Sequence, residues 1–190
     1  MSRSVLAAGA AAIVAVLVAA LMFWQAPRLT SRATPRASAA PSPTAPAPPG
    51  RKIKARLFYV ADDGMRLTSV ERDIAYGEAT VEQAREIVAA QIAPVVDPLV
   101  SAVSPGTTLR AVFLTQSGEA YVDLSRELMT AHPGGTLNEL LTIYTIVNAL
   151  TVNLPAVTSV QVLVDGKEVE TLAGHIDLRQ PLPKNLSWIQ

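Results

Sequence analysis

The stretch from Tyr121 to Leu182 restricts the possible folds of this chain most, because strand and helix signals alternate within one continuous run. Residues 121–124 close an alternation of apolar and polar side chains, which predicts the end of a strand. Pro133-Gly134-Gly135 then interrupts the chain ahead of a helical pattern. The run therefore predicts a strand, a break, a helix and a second strand, in that order.

The predicted helix of this run begins at Thr136. Thr136 and Glu139 have the T-x-x-E spacing of a capping box, in which each side chain bonds to the backbone of the other residue. Two apolar lines follow at helical spacing, so we expect a helix that is covered on more than one side and that ends at Asn153-Leu154-Pro155. The first line is Leu137, Leu140, Leu141, Tyr144 and Val147, and the second is Ile143, Ile146 and Leu150.

A hairpin is predicted after this helix. Val157 to Val164 alternates apolar and polar residues and is typical of a strand. Asp165-Gly166 is a strong signal for a two-residue turn, with Lys167 to Leu172 as the return strand. The tail, residues 183–190, ends in apolar residues around Trp188, and we expect it to pack back on the sheet.

The upstream half repeats the same alternation of elements, without a clear sequence repeat. Strands are predicted for Ile53–Val60, Leu67–Tyr76, Leu109–Leu114 and Glu119–Leu124, and a helix opens at Thr80 with a capping box to Gln83 and ends before Pro94 and Pro98. The order ββ-α-ββ-α-ββ predicts an α+β fold, with a small, mainly antiparallel sheet and two helices packed on one face. The predicted domain covers residues 51–182.

The first 25 residues predict a membrane anchor. Val5 to Trp24 is uncharged and apolar over about 20 residues, enough to span a bilayer as a helix. Phe23 and Trp24 lie at its far end, where aromatic rings favour the membrane interface. A cleaved signal peptide is the alternative, but the run exceeds a usual signal core and the small residues at 37–39 lie well beyond it. We therefore interpret residues 1–25 as an uncleaved transmembrane helix.

The charges beside this helix and the plan of the chain point to opposite orientations. Arg3 precedes the apolar run, whereas Arg28, Arg32 and Arg36 follow it, and the positive-inside rule taken literally would place the following side in the cytoplasm. A short tail, an apolar run and a Pro/Ala-rich segment form the usual plan of an exported, anchored protein. We expect the folded domain outside the cytoplasm.

Residues 26–50 predict a linker. Half of the 14 prolines lie here, among Ala, Ser and Thr, so neither helix nor sheet is expected. The segment has almost nothing to bury and is predicted to be disordered or polyproline II-like. At about 3.1 Å per residue it could hold the domain up to roughly 75 Å from the membrane.

Composition excludes several function classes. Lys and Arg total 16, as do Asp and Glu, so there is no excess positive charge for binding a nucleic acid. The chain contains no cysteine, which excludes disulfides, thiolate metal sites, a cysteine nucleophile and a lipid anchor on cysteine.

Few residues could carry out chemistry. The only two histidines, His132 and His175, are the candidates for a metal or acid–base site, together with three aspartates. None shows ligand spacing such as H-x-x-x-H, and both histidines fall in predicted loops. The aspartates are Asp123, Asp165 and Asp177. We predict no catalytic, metal-binding or cofactor-binding residues, and no cofactor.

Two further positions have alternative interpretations. Ser125 lacks the G-x-S-x-G context of a hydrolase nucleophile, so we expect it to bond to the backbone at the strand end, and Asp123 to act as a turn or cap residue. Gly134, Gly135 and the free amides of the Thr136 helix could bind an anion. A helix start satisfied by its own capping box is the interpretation we prefer.

Several separated motifs, in order, resemble one family, the sporulation and spore germination domain, also called the GerMN domain. They are Tyr121 to Ser125, His132 to Gly135, Leu141 to Asn148, Leu163 to Glu168 and Thr171 to Leu178, with Pro105 to Leu109 and Thr80 to Ile92 upstream. The resemblance implies a non-enzymatic, extracytoplasmic interaction module with a fold similar to ring-building domains. In spore-forming members it implies a part in an envelope-spanning complex. This chain departs from that pattern, since it has one such domain rather than a tandem pair, and a transmembrane anchor rather than a lipidated cysteine.

Together these observations predict a membrane-anchored, extracytoplasmic binding or assembly module of the bacterial envelope. The expected partners are an envelope protein or further copies of the chain, with peptidoglycan as an additional candidate, the membrane through the N-terminal helix, and no nucleic acid. One apolar line is enough to cover the sheet, so we expect Ile143 and Ile146 to contribute to a partner surface. The alternative is a cell-wall hydrolase or remodelling enzyme, which would need an acid–base pair converging in one pocket.

Overall fold

Strands and helices alternate along the part of the chain that the structure, a computed structural model, describes, which is residues 50–190. The elements are β1 (Lys52–Val60), β2 (Leu67–Ala75), α1 (Thr80–Ile92), β3 (Leu109–Leu114), β4 (Glu119–Leu124), α2 (Glu127–Thr130), α3 (Thr136–Asn153), β5 (Ser159–Val164), β6 (Lys167–Glu168) and β7 (Leu182–Pro183). The predicted anchor at 1–25 and the predicted linker at 26–50, apart from its last residue, lie outside the described residues. Within residues 50–190, no helix combines the length and the apolar character needed to cross a bilayer.

Most elements lie within two residues of their predicted bounds, which confirms the α+β class. Three differences remain. The return strand after the Asp165-Gly166 turn is limited to Lys167–Glu168, the short helix α2 was not predicted, and β7 is an additional pairing of the C-terminal segment. The turn itself is as predicted, because Asp165 and Gly166 both have positive φ, at 50° and 76°.

The strands form two sheets rather than one. β1 and β2 make an antiparallel pair from Lys52↔Ala75 to Val60↔Leu67. The second sheet has the order β3-β4-β5-β6, and β7 also pairs with β5. β4 and β5 run parallel, from Glu119↔Ser159 to Leu124↔Val164, because α3 forms the crossover between them. The mainly antiparallel character is as predicted, but the strands form two sheets rather than one, with one parallel pair at the centre of the larger.

Helix α3 lies at the centre of the core. It packs against β1 and β5, while α1 packs against β3 and against α3 itself. Eleven of the 18 residues of α3 are buried, including the whole second apolar line, whereas Leu137, Leu140 and Tyr144 of the first line are half-buried. Ile143 and Ile146 are both 0% exposed, so the predicted partner surface around them is wrong. Helix α3 contacts β1, β5 and β7 as well as α1, so elements of the same chain cover it on more than one side.

Two carboxamides carried by the helices satisfy the outer edge of β1. The side chain of Gln91 bonds to both backbone groups of Phe58, at 2.8 and 2.7 Å. The side chain of Asn153 bonds in the same way to Arg56, at 2.8 and 2.7 Å. Each carboxamide takes the place of a neighbouring strand, because it pairs backbone groups that this edge would otherwise leave free.

The C-terminal tail packs back on the domain, as expected. Asn148 of α3 bonds to both backbone groups of Asn185, at 2.8 and 3.1 Å. Further along, the amide of Leu67 donates to the carbonyl of Trp188 at 2.7 Å, and the amide of Gln190 donates to the carbonyl of Leu67 at 3.0 Å. The tail thereby covers the start of β2.

Candidate interaction surface

His132 holds a loop in place rather than facing a pocket. Its Nδ1 accepts a hydrogen bond from the amide of Gly134 at 3.0 Å, so the network assigns the ring proton to Nε2. Nε2 then donates to the hydroxyl of Thr142 at 3.2 Å. That hydroxyl lies 2.6 Å from the carbonyl oxygen of Ala102, to which it donates. A relay from His132 to Ala102 therefore fixes the segment between α1 and β3.

His175 pairs with Glu139, a residue that the sequence had placed in a helix cap. Glu139 is 0% exposed. Its carboxylate accepts from the amide of Leu172 at 2.8 Å and from the amide of His175 at 2.9 Å, and lies 3.1 Å from Nδ1 of the His175 ring. The predicted capping box of Thr136 and Glu139 is wrong, because Glu139 turns inward and binds the 172–175 loop.

The electrostatics of Glu139 follow from this geometry. Burial acts to raise its pKa, but the backbone amides of Leu172, Ala173, His175 and Ile176 together outweigh burial and hold the pKa below the usual value. The group is therefore an ionised carboxylate in a ring of N–H donors. Such an arrangement stabilises a loop and leaves no proton available for acid–base chemistry.

The predicted aspartates are also bound in local structure. Asp123 accepts from the amide of Gly166 at 2.7 Å and from Nε of Arg110 at 3.0 Å, which confirms its predicted role at a turn. Arg110 also lies 3.5 Å from Asp165. Asp177 accepts from the side chain and the amide of Arg179, which lower its pKa to about 2.

Of the five candidate groups, Asp123 and Asp165 meet at Arg110, whereas His132, His175 and Asp177 each lie in separate local contacts. Within residues 50–190, no cluster of three or more His, Asp or Glu side chains is arranged to hold a metal ion. None of the five lines any of the three grooves described below. The arrangement offers no acid–base pair in a shared pocket.

Ser125 behaves as predicted, and the start of α3 differs from the predicted capping box. The hydroxyl of Ser125 accepts from the amide of Thr108 at 3.0 Å. The amide of Gly134 is already bound to His132, and Gly135, with a φ of 85°, is the N-cap of α3. Because the cap is glycine, Thr136 is the first helical residue and its exposed side chain makes no cap bond.

The loop between α1 and β3, residues 93–108, presents the main exposed apolar surface, which we call the α1–β3 loop surface. Val96 is 80% exposed and Val100 is 55% exposed. The exposed Met65 follows Gly64, which lines the same groove as Val100. Grooves of about 350 and 410 Å³ flank the loop, and both are lined by Val100 and by residues 101, 103, 104 and 105.

This loop is held firmly for a segment without regular structure. The amide of Val60 donates to the carbonyl of Val100 at 2.9 Å, the hydroxyl of Ser104 donates to the carbonyl of Leu128 at 3.1 Å, and Thr142 holds Ala102. Exposed apolar side chains on a fixed backbone are suited to contact with another molecule. Sequence reasoning missed this surface, although its signal, apolar residues without periodicity between prolines, lies in the run from Pro94 to Pro105.

A third groove, of about 370 Å³, lies beside β1 and the C-terminal tail. It is lined by Arg56, Phe58, Ser69, Val152, Lys184, Leu186 and Ile189. The C-terminal tail forms one of its walls. Phe58 itself is buried, so the groove offers less accessible apolar surface than the α1–β3 loop.

Comparison with known proteins decides the family. The sequence model named Germane, described as sporulation and spore germination, matches residues 56–170, more than half of the chain. The chain belongs to the sporulation and spore germination family. The resemblance predicted from the sequence motifs is confirmed.

Two solved structures of GerMN domains share the fold. One is the first GerMN domain of the sporulation protein GerM from Bacillus subtilis. The match covers 70% of this chain and 98% of that domain, at 14% identity and a TM-score of 0.51. The tandem GerMN domains of the same protein cover 71% of this chain at 16% identity and a TM-score of 0.51, and this chain spans 45% of that longer one. No curated protein matches.

The family match can be placed on the elements of the fold. The match contains the α1–β3 loop and the whole of α3, including Glu139, but it ends at residue 170, before the 172–175 loop that Glu139 binds. The C-terminal segment therefore completes the core from outside the matched range.

Proposed function

We propose that this protein is a membrane-anchored, extracytoplasmic contact module of the bacterial envelope, which binds a protein partner through the α1–β3 loop surface. The observation that carries the proposal is the exposure of Val96 and Val100 on a fixed loop between two apolar grooves. When an apolar partner covers such exposed apolar side chains, their removal from water favours the complex.

The use of the polar groups supports contact rather than catalysis. His132, His175 and Asp123 each hold a backbone segment, and their bonds leave no nucleophile beside a base. A hydrolase needs such a pair with a shifted pKa in one pocket. No observation on the described residues favours the hydrolase alternative.

The location in the envelope rests on the sequence before the domain. The apolar run Val5 to Trp24 and the proline-rich segment after it support an anchor and a spacer. The neighbouring structures come from a sporulation protein, which supports a role for this domain in an envelope assembly. We propose that the domain lies outside the cytoplasm.

The anchor can be tested directly on the full-length chain. We expect it to pellet with membranes and to resist carbonate extraction, and protease added to intact spheroplasts to degrade the domain. A chain lacking residues 1–50 should be soluble. Extraction of the full-length chain by carbonate would exclude the anchor, and protection of the domain from protease would reverse the orientation.

The contact surface is tested by photocrosslinking in the native cell. A photoreactive phenylalanine analogue at position 96 of the full-length chain should give discrete crosslinked products. Val100→Asp in the same chain should abolish them, whereas Val100→Thr, of matched shape, should retain most of them. Leu186→Asp, an exposed apolar residue at the third groove, is the control for charge and should have no effect.

Two outcomes would contradict the proposal. Crosslinks that survive Val100→Asp in a folded protein would place the contact elsewhere. Loss of function in a folded His132→Ala, His175→Ala double variant, with Val100→Asp fully active, would instead favour an enzyme or a metal site.

A further inference from the structure

The two sheets differ in how their outer edges are satisfied. The edge of β1 is covered by Asn153, Gln91 and the carbonyl of Val100, and the tail covers β2 at Leu67. In the larger sheet, β6 and β7 cover β5. Beyond Leu67, β2 also has no further strand, but it carries the charged residues Glu71, Arg72 and Asp73. The other open edge is β3, whose only strand partner within the described residues is β4.

The hydrogen-bond pattern identifies the free groups of β3. The amide of Thr115 donates to the carbonyl of Glu119, so Thr115 and Phe113 bond towards β4. Because bonding alternates along an antiparallel strand, Val112 and Leu114 direct their backbone groups outward. No hydrogen bond within residues 50–190 reaches these outward groups.

This edge also lacks the usual protection against pairing. Exposed edges are commonly blocked by lysine, proline or a covering segment. β1 carries exposed Lys52 and Lys54 in addition to its carboxamides, whereas β3 contains neither lysine nor proline. Its one charge, Arg110, lies at the bulged end and is paired with Asp123 and Asp165.

An exposed aromatic residue lies at the middle of this edge. Phe113 is 57% exposed and is flanked by the outward-bonding Val112 and Leu114. Its neighbour across the sheet is Tyr121, which is half-buried. The edge therefore combines free backbone groups with an apolar side chain that a partner strand could cover.

We propose that β3 pairs antiparallel with β3 of a second copy of this chain, about a two-fold axis at Phe113. In this register Val112 faces Leu114 of the second copy, and each such pair exchanges both backbone hydrogen bonds. The two Phe113 rings then face one another as a non-hydrogen-bonded pair, in which side chains approach most closely. The larger sheet becomes continuous across the two copies.

The register is self-complementary, which favours a second copy over an unrelated strand. Apolar residues face apolar residues, and Arg110 faces the neutral Gln116 of the second copy, so no like charges meet. A two-fold interface of this kind uses the same patch on both molecules. The proposal is independent of the α1–β3 loop surface, and neither depends on the other.

The absence of cysteine from the chain provides a clean crosslinking test. Phe113→Cys introduces a single thiol, and two thiols in a non-hydrogen-bonded pair have Cα atoms about 4.5 Å apart, within disulfide range. Ala111→Cys is the matched control, because two copies of Ala111 in this register would be about 13 Å apart, four residues along the strand. We expect Phe113→Cys to give a covalent dimer under mild oxidation and Ala111→Cys to remain monomeric.

A mixture of two variants tests the proposed register of the two β3 strands. Ala111 faces Thr115 of the second copy, so Ala111→Cys and Thr115→Cys chains should link to each other but not to themselves. The test uses the full-length chain in detergent, with circular dichroism confirming the fold of each variant. Equal linking of Phe113→Cys and Ala111→Cys, or none by either, would overturn the proposal.

The reversible association provides a second measurement. In sedimentation, wild-type protein should form dimers with rising concentration, and Phe113→Lys should lower the association constant at least about tenfold, because two lysines would face each other. Leu186→Lys, at an exposed residue outside both proposed surfaces, should leave it unchanged. A dimer that resists Phe113→Lys, or a strictly monomeric wild type, would refute the pairing of β3.

Discussion

Helices α1 and α3 begin in similar sequence contexts but use their first-turn glutamates in opposite ways. In α1, Glu82 lies three residues after the N-cap Ala79 and accepts from the amides of Ala79 and Glu78, at 3.2 and 3.1 Å. In α3, Glu139 lies four residues after the N-cap Gly135 and is fully buried against the 172–175 loop. One glutamate caps its own helix, and the other binds a distant segment.

This comparison shows that a shift of one residue in the N-cap position changes the direction in which the side chains of the first turn point. A residue three positions after the cap can reach back to the free amides, whereas the next residue is rotated about 100° around the helix. Gly135 allows the positive φ of 85° that sets the start of α3. This start directs Glu139 into the core.

The largest effect should follow loss of the buried carboxylate. Glu139→Ala leaves the amides of Leu172 and His175 buried without an acceptor, so we expect the free energy of unfolding to fall by on the order of 3 kcal/mol. Urea denaturation of the chain lacking residues 1–50 measures it. Glu139→Gln keeps the shape and one acceptor and should cost less. A loss below that of Glu82→Ala would contradict the role assigned to Glu139.

The second prediction concerns acid. The pKa of Glu139 is lower in the folded state than the ordinary glutamate value of 4.5, so its stabilising contribution is present above that value and is lost as pH falls through the folded pKa. The stability difference between wild type and Glu139→Gln should therefore be constant near neutral pH and shrink below about pH 4.5. Urea midpoints at several pH values measure this, and a difference that widens on acidification would reverse the sign.

Local patterns allowed prediction of most elements, because apolar periodicity and turn residues are read over a few neighbouring positions. The Asp165-Gly166 turn and the coverage of α3 on more than one side followed from such patterns. The parallel pairing of β4 and β5 could have been predicted, since α3 connects them as a crossover.

The contacts that complete the fold could not be read in this way. Asn153 binds Arg56 across 97 residues and Gln91 binds Phe58 across 33, with no local signal in either segment. The predictions of the helix caps are wrong for a different reason. Residues 80–83 contain both a Glu and a Gln, and the predicted box between Thr80 and Gln83 is wrong by one residue, because Gln83 instead bonds to Gly77 and Ala75.

The third prediction tests the correct cap of α1. Glu82→Ala removes the acceptor for two amides at the helix start, and we expect a loss of about 0.5–1 kcal/mol. The matched control is Glu86→Ala, which changes the same charge one turn later. Equal losses for the two variants would mean that general charge, rather than capping, accounts for the effect.

The smallest effect is expected at Thr136, where the sequence pattern alone predicted a cap worth on the order of 1 kcal/mol. The structure makes Thr136 the first residue of α3, exposed and without a cap bond, so Thr136→Ala removes no acceptor from the helix amides. Alanine also has the higher helix propensity, which acts in the stabilising direction. We therefore expect a change within about 0.5 kcal/mol in either direction, measured beside Glu82→Ala in the same urea titration. A loss of 1 kcal/mol or more would show that Thr136 caps α3 in solution, and the contrast between the two helix starts would then be wrong.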